Sequence, residues 1–274
     1  MTRTVVVTGA TSGIGRAAAR EFAGRGDRLV LAARAPETLE QVRRECADAG
    51  AADVRVVPTD VTEPGALDAL TATAVAGFGR IDVWVHTAAV MAYGRFEEIP
   101  AEVFEQVVRT DLLGSAGVAR VALRHFKEAG HLPGVNVCLV TPGSVDTPVY
   151  QQAANYVGRI GRPPLPITTP ERVARAIAHC ADKPRREISV GRVNLVMRVG
   201  FTALPAVYDV LVGPLMRLGG LTGRPVPPTE GAVFTPNPAG EAVRGGWLPD
   251  LSRVVRTVGG ATAMVGSAVR RRLS

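Results

Sequence analysis

The sequence predicts an α/β protein built on a doubly wound parallel sheet. Three observations carry that expectation. Short apolar or β-branched runs alternate with longer amphipathic ones, each of the first four runs is followed by a helical pattern, and a glycine-rich turn joins the first run to the first helix. A strand can return beside a parallel neighbour only through a crossover, and helices supply those crossovers. With 274 residues and 46% hydrophobic content, the chain can bury a full core.

In order, the strands read Thr4 to Thr8, Arg28 to Ala33, Val54 to Val57 and Ile81 to Val85. The helices between and after them read Gly13 to Gly24, Pro36 to Ala49, Pro64 to Phe78 and Ala101 to Ala129. Pro36 and Pro64 stand where a first-turn proline is tolerated, because the missing amide would have no intrahelical partner. In the last helix Phe104, Val108, Leu112, Ala119, Ala122 and Phe126 recur at helical spacing and form one stripe for burial. A strand, Asn136 to Val140, a loop, Thr141 to Pro148, a helix, Pro170 to Asp182, and a strand, Glu187 to Val190, complete a regular body over residues 1–190. Residues 191–274 read as a C-terminal extension. It holds an apolar helical stretch, Asn194 to Met216, a proline-rich ordered or draped loop, Gly223 to Pro238, and a weak basic helix, Leu251 to Ser274.

Composition narrows the function classes. The net charge is +7, but from residue 240 onward six Arg face only Glu241 and Asp250. The excess is therefore largely a property of the tail, and nucleic acid is not expected as a partner. Cys46, Cys138 and Cys180 lack the paired spacing of a zinc site and read as reduced packing residues, so no metal is expected. No uncharged apolar run reaches the roughly 18 residues of a spanning helix. The chain enters a strand-like run within four residues of its start, without the pattern of a signal peptide, so a cytoplasmic protein is expected.

The first candidate site is Thr8-Gly9-Ala10-Thr11-Ser12-Gly13-Ile14-Gly15, directly after the first strand and opening the first helix. Glycines there let the backbone turn tightly and approach a pyrophosphate, whose charge meets free N–H groups and the positive end of the helix dipole. Gly9, Thr11, Ser12, Gly13, Ile14 and Gly15 are thus candidate cofactor-binding residues. The second strand ends Ala32-Ala33-Arg34 rather than in an acid that would hold a ribose 2′-hydroxyl. A neutral Ala33 and a cationic Arg34 leave room and charge for a 2′-phosphate, which favours NADP over NAD; the other reading of Arg34 is a solvated side chain. Asp60-Val61 follows the third strand, where a carboxylate can accept from an adenine amine while the valine packs on the ring; alternatively Asp60 serves the next helix N-terminus.

These residues, with Asp111-Leu112-Leu113-Gly114 and Pro142-Gly143-Ser144-Val145-Asp146-Thr147-Pro148, resemble the short-chain dehydrogenase/reductase family over about residues 3 to 190. The resemblance implies a Rossmann fold and hydride transfer between NADPH and a carbonyl or alcohol. It further implies that the Val145 backbone and the Thr147 hydroxyl hold the nicotinamide carboxamide. Ala88 joins the cofactor-binding set from His86-Thr87-Ala88-Ala89, where the family carries Asn-Asn-Ala-Gly.

The proton chemistry departs from that family. Its members use a tyrosine whose phenol is activated by a lysine four residues later, with a serine on the preceding strand; a phenol with a pKa of about 10 is a poor base near neutrality without such a cation. Here the residues four after Tyr93, Tyr150, Tyr156 and Tyr208 are Glu97, Ala154, Ile160 and Val212. No catalytic residue is assigned. The run from Phe126 to Asn136 leaves out a strand-helix unit near His131-Leu132, so the sheet is expected one such unit shorter, with Asn136 to Val140 closing up beside Ile81 to Val85. One face would then lose its covering helix, at about 25 cal/mol per Å² of lost burial. The family's usual dimer interface, built partly on that helix, is in doubt. Asp111 replaces a supporting asparagine, and His86 reads as a hydrogen-bonded structural residue rather than a new acid or base.

In the tail, Val254, Val258, Ala261, Val265 and Val269 form an apolar stripe beside Arg253, Arg256 and Arg270 to Arg272. Weak peripheral contact with an anionic membrane is one reading, and a helix packed on the body the other. The sequence thus describes an NADP-dependent oxidoreductase by resemblance with an impaired proton relay. The alternative is a non-catalytic NADP-binding or scaffold protein. The substrate, if the chain is active, is a small lipophilic carbonyl or alcohol.

Overall fold

The computed structural model describes residues 2–248 except 131–133, 192, 204, 207, 209, 211–212 and 215–218. The junction at His131-Leu132 and the basic segment Leu251 to Ser274 therefore lie outside the described residues. The first half alternates strictly: β1 (Thr4–Thr8), α1 (Gly13–Ala23), β2 (Arg28–Ala33), α2 (Pro36–Asp48), β3 (Asp53–Pro58), α3 (Ala66–Phe78) and β4 (Val83–His86). All four strands are parallel in the order β3-β2-β1-β4, with Val5 opposite both Leu29 and Val83. Every residue of β1 is buried, as a strand covered on both faces must be. One expectation shifts: α3 starts at Ala66 rather than Pro64, because Gly65 takes φ +78° and breaks the helical path just before it.

The second half starts with a two-residue strand β5 (Ala92–Tyr93) and a long helix in three parts, α4 (Ala101–Val108), a π-helical stretch Arg109–Gly114, and α5 (Ser115–Glu128). The single helix expected over this span is present, with a wider turn where Asp111 sits. Next come β6 (Leu139–Pro142), a short α6 (Val149–Gln152), β7 (Ala154–Asn155), β8 (Arg159–Gly161), α7 (Pro170–Asp182), β9 (Glu187–Val190), α8 (Val193–Ala203) and β10 (Leu221–Pro225). Thr169 caps α7 by accepting from the Arg172 amide, and Pro170 fills its first turn. No helix among the described residues is long and apolar enough to cross a membrane.

Helices cover both faces. Phe22, Leu39, Val42, Ala174 and Ala178 from α1, α2 and α7 pack on one side of the sheet, while Leu67, Leu70, Ala74, Val118 and Val121 from α3 and α5 pack on the other. Ions fasten α7 to the sheet: Arg3 pairs with Asp27 at 2.9 Å and Asp182 at 2.6 Å, and Arg25 also reaches Asp182.

The expected closing of the sheet does not occur. β6 begins at Leu139 rather than Asn136 and pairs in parallel with β9, Leu139 opposite Glu187; it does not pair with β4. Among the described residues, β4 ends the four-stranded sheet, and β6 with β9 forms a separate two-stranded one. α7 packs against α1 and also on β6 and β9, so each edge keeps its own helical support instead of sliding together. The α4–α5 region carries exposed apolar side chains, Leu112 at 63% and Leu113 at 59%, and Leu139 on β6 is 60% exposed.

Candidate cofactor site

At the end of β1 the chain turns at Gly9, which takes φ +82°. A Cβ there would lie 2.5 Å from the Ala88 amide nitrogen, so both the turn and the approach of the β4 end require glycine. A Cβ at Gly15 would strike the Gly9 carbonyl and the Thr87 hydroxyl, which itself donates to the Thr8 carbonyl at 2.8 Å. Gly13 takes φ +53° and faces the Thr147 methyl. Three segments far apart in sequence, 9–15, 86–88 and 145–147, therefore meet around one turn. The cradle is one that side chains would fill, and it fits the pyrophosphate of a dinucleotide at the N-terminus of α1.

The other predicted residues lie along the same rim. Val61 touches the long helix where Gly114 leaves room, a Cβ at Gly114 falling 2.7 Å from the valine. The Asp60 carboxylate accepts from the Thr62 amide at 2.9 Å and the Thr62 hydroxyl at 2.7 Å, so one of its oxygens closes a local turn; it does not cap α3, which starts at Ala66 without a side-chain cap. Val145 and Thr147 are buried beyond β6, fixed by the Asp146 amide donating to the Thr168 carbonyl at 2.9 Å. Arg34 is neither solvated nor free: its guanidinium donates to the carbonyls of Ala232 at 2.6 Å, Val233 at 3.0 Å and Phe234 at 3.2 Å.

Sequence reasoning expected a draped proline-rich loop over Gly223 to Pro238, but not that it makes those contacts or that the residues after it reach the cradle. Residues 229–247 cross the mouth of the cradle. The Gly13 amide donates to the Ala242 carbonyl at 2.8 Å, the Thr11 hydroxyl to the Glu241 carboxylate at 2.9 Å and the Ser12 hydroxyl to the Ala242 carbonyl at 3.3 Å. Trp247 donates from its indole to the Thr147 carbonyl at 3.1 Å and from its amide to the Asp146 carboxylate at 2.8 Å. A proline-rich stretch signals an ordered loop but carries no periodicity that says where it lands.

Burial shifts the titratable side chains of this region. His86 is held at both nitrogens, Nδ1 on the Thr8 hydroxyl at 2.8 Å and Nε2 on the Ser115 hydroxyl at 2.9 Å, and burial lowers its pKa, which favours the neutral ring. Burial raises the Tyr93 phenol above its ordinary value, with Tyr150 adding to the effect. Tyr150 is also pushed up by burial, and Tyr156 is pushed up by burial and the nearby Glu230 and Glu102. Among the described residues, no cation lowers any of these three phenols. Asp111 accepts from the Val90 amide at 2.9 Å, while burial pushes its carboxyl above the usual range.

A cavity of about 1230 Å³ joins these parts. It is lined at one end by Gly13, Arg34, Asp60 and Thr147 and continues between the β4 strand and residues 134–140, with Val118 and Ala122 of α5 and Val173 and Ile177 of α7 on its walls. This exceeds the roughly 300–1,000 Å³ of an ordinary small-molecule site.

Comparison with known proteins agrees with this geometry. Residues 3–132 match the family model described as short chain dehydrogenase. The uncharacterized oxidoreductase YxnA of Bacillus subtilis (strain 168) is 27% identical, over 90% of this chain and 83% of its own length. Dehydrogenase/reductase SDR family member 7 of Homo sapiens is 32% identical over 49% of this chain, which spans 41% of that protein. In fold, the chain resembles an alcohol dehydrogenase of the archaeon Thermococcus sibiricus complexed with 5-hydroxy-NADP, with a TM-score of 0.60 and 23% identity, covering 69% of this chain and 96% of that one. It likewise resembles a single-residue variant of actinorhodin polyketide ketoreductase with NADPH, with a TM-score of 0.58 and 23% identity over 69% of this chain and 95% of the other. Residues 3–132 are thus similar to the short-chain dehydrogenase family, and the fold over 69% of the chain resembles that of the two solved structures.

Proposed function

We propose that this chain binds NADP(H) at the glycine-rich cradle and carries the oxidoreductase architecture of its family with an impaired proton relay. Bound coenzyme would supply hydride at its nicotinamide. Gly9, Thr11 to Gly15, Asp60, Val61, Ala88, Val145 and Thr147 would hold it, and Arg34 would supply the cation for a 2′-phosphate. The substrate class is a small lipophilic carbonyl or alcohol, for which the largely apolar far end of the cavity has room. The cytoplasm is its proposed location, and neither nucleic acid nor a metal is part of the proposal.

The observation that carries the impairment is the broken sheet. β4 and β6 face a common cavity without pairing, and the described tyrosines near it lack a cation. A chain that binds coenzyme yet turns over poorly also suits the alternative, an NADP-binding or scaffold protein.

Two measurements test the reading. Titrating NADPH fluorescence should give saturable binding; its absence at millimolar coenzyme removes the binding claim. NADPH consumption with a panel of ketones and aldehydes should stay near the uncatalysed rate, and turnover on the order of 1–10 per second, ordinary for enzymes, would remove the impairment claim.

A further inference from the structure

We propose that residues 229–247 form an autoinhibitory strap, seated on the phosphate cradle and displaced by a 2′-phosphorylated dinucleotide. The inference rests on the NADP(H)-binding reading and adds a regulatory step to it.

The strap is fixed at its ends and competitive in its middle. At one end Thr229 bridges Asn155, the Ala232 amide donates to the Gln152 carbonyl at 2.7 Å, and Gly231, at φ +54°, sits where a Cβ would strike the backbone of Gln152 and Ala153. At the other end the Gly245 amide donates to the Asp146 carbonyl at 3.2 Å, and Trp247 locks onto Asp146 and Thr147. Arg244 adds an exposed ion pair to Glu171 beside that anchor, and Gln152 reaches the Asn237 carbonyl at 3.5 Å. The remaining polar contacts fall on groups a dinucleotide phosphate would use. The Gly13 amide, the Thr11 and Ser12 hydroxyls and the Arg34 guanidinium all donate to strap oxygens, and Arg16 reaches the Glu241 carbonyl at 3.4 Å. The Glu241 carboxylate and the Ala242 carbonyl thus stand in for an anion at the positive end of α1.

The substitution is a poor one. One Glu241 oxygen holds Thr11, and the other is buried without a hydrogen-bond partner among the described residues. A half-satisfied buried carboxylate is costly, and phosphates arriving beside it add like-charge repulsion. A 2′-phosphate also competes directly for Arg34, taking the second hold of the strap. NADH lacks that group and can challenge only the first. The middle of the strap then lifts while Gly231 and Gly245 stay seated.

The test uses the full chain with NADPH, NADH and the Glu241→Ala variant. Removing the carboxylate should tighten NADPH binding about tenfold by fluorescence titration, because the arriving phosphates no longer meet a like charge at the Thr11 hydroxyl. Saturating NADPH should speed amide hydrogen exchange in residues 233–243, and NADH at equal saturation should speed it less. If NADPH binds wild type and variant equally, or slows exchange across 233–243, the strap is a lid or a passive wall and the inference falls alone. If neither protein binds NADPH, the coenzyme-binding reading falls first and carries the inference with it. Coenzyme binding by the variant and not by wild type is the strongest supporting result.

Discussion

β1 and β6 are both short parallel strands, yet one is wholly buried and the other starts at a residue 60% exposed. β1 lies between β2 and β4 with helices on both faces, whereas β6 has β9 on one side and a cavity on the other. A parallel strand is stabilised by the neighbours that cover it rather than by its own propensity, and the absence of one neighbour changes the state of the next. The first half of the molecule keeps a closed core because its strand pairings lie within residues 4–86. The second half is left open toward the cavity.

That contrast can be broken first at its strong end. Phe22 is fully buried in the α1 core, with the guanidinium carbons of Arg3 and Arg25 lying 5.7 and 6.0 Å from its ring centroid. Phe22→Ala should cost about 3–5 kcal/mol in urea unfolding. Gly9→Val joins a strained φ to a collision with Ala88, each costing about 1–3 kcal/mol, and should lower the melting temperature and abolish NADPH binding together. Loss of binding without loss of stability would show that the cradle is not part of the core.

Milder experiments sharpen the comparison. Amide hydrogen exchange should be slow throughout β1 and β2 and at least tenfold faster in β6 and β9, since the second pair can open without the first. Equal protection would mean that one cooperative unit spans the cavity. Leu112→Ala, at a 63% exposed position on the long helix, should change stability by less than about 0.5 kcal/mol, against the several expected of Phe22. A larger loss would reveal a partner covering that face.

Asp111 gives the smallest effect and a pH dependence with a definite sign. Burial raises its folded pKa, so the carboxylate form costs stability at neutral pH, and the cost disappears as pH falls through the folded value and below about 3.9. Asp111→Asn keeps an oxygen for the Val90 amide and removes the charge. It should stabilise by about 0.5 kcal/mol at pH 7 after solvent screening, with the gain vanishing near pH 3. Destabilisation by this change would mean that the carboxylate has a cationic partner.

The cradle was legible from sequence because its requirements are local. Gly9, Gly13 and Gly15 are demanded by backbone geometry within one turn, and the period of the flanking runs names the strand and the helix. Arg34 was legible as a cation at the end of the second strand, but its partners are backbone carbonyls two hundred residues away, and no spacing rule reports those. The break in the sheet was half legible. The short run after Phe126 warns that the second half of the sheet is built differently, while the expectation that the remaining strands would close up failed against the packing of α7.

By itself, the sequence determined the alternation, the glycine turn and the lack of a tyrosine with a lysine one turn on, since each is set by residues within a few positions of one another. Tertiary structure alone decided that β4 and β6 stay apart and that residues 229–247 come to rest on the glycine-rich turn and Arg34. Both outcomes depend on which surfaces meet, and the free energy of such meetings belongs to pairs of segments, which no single stretch of chain encodes.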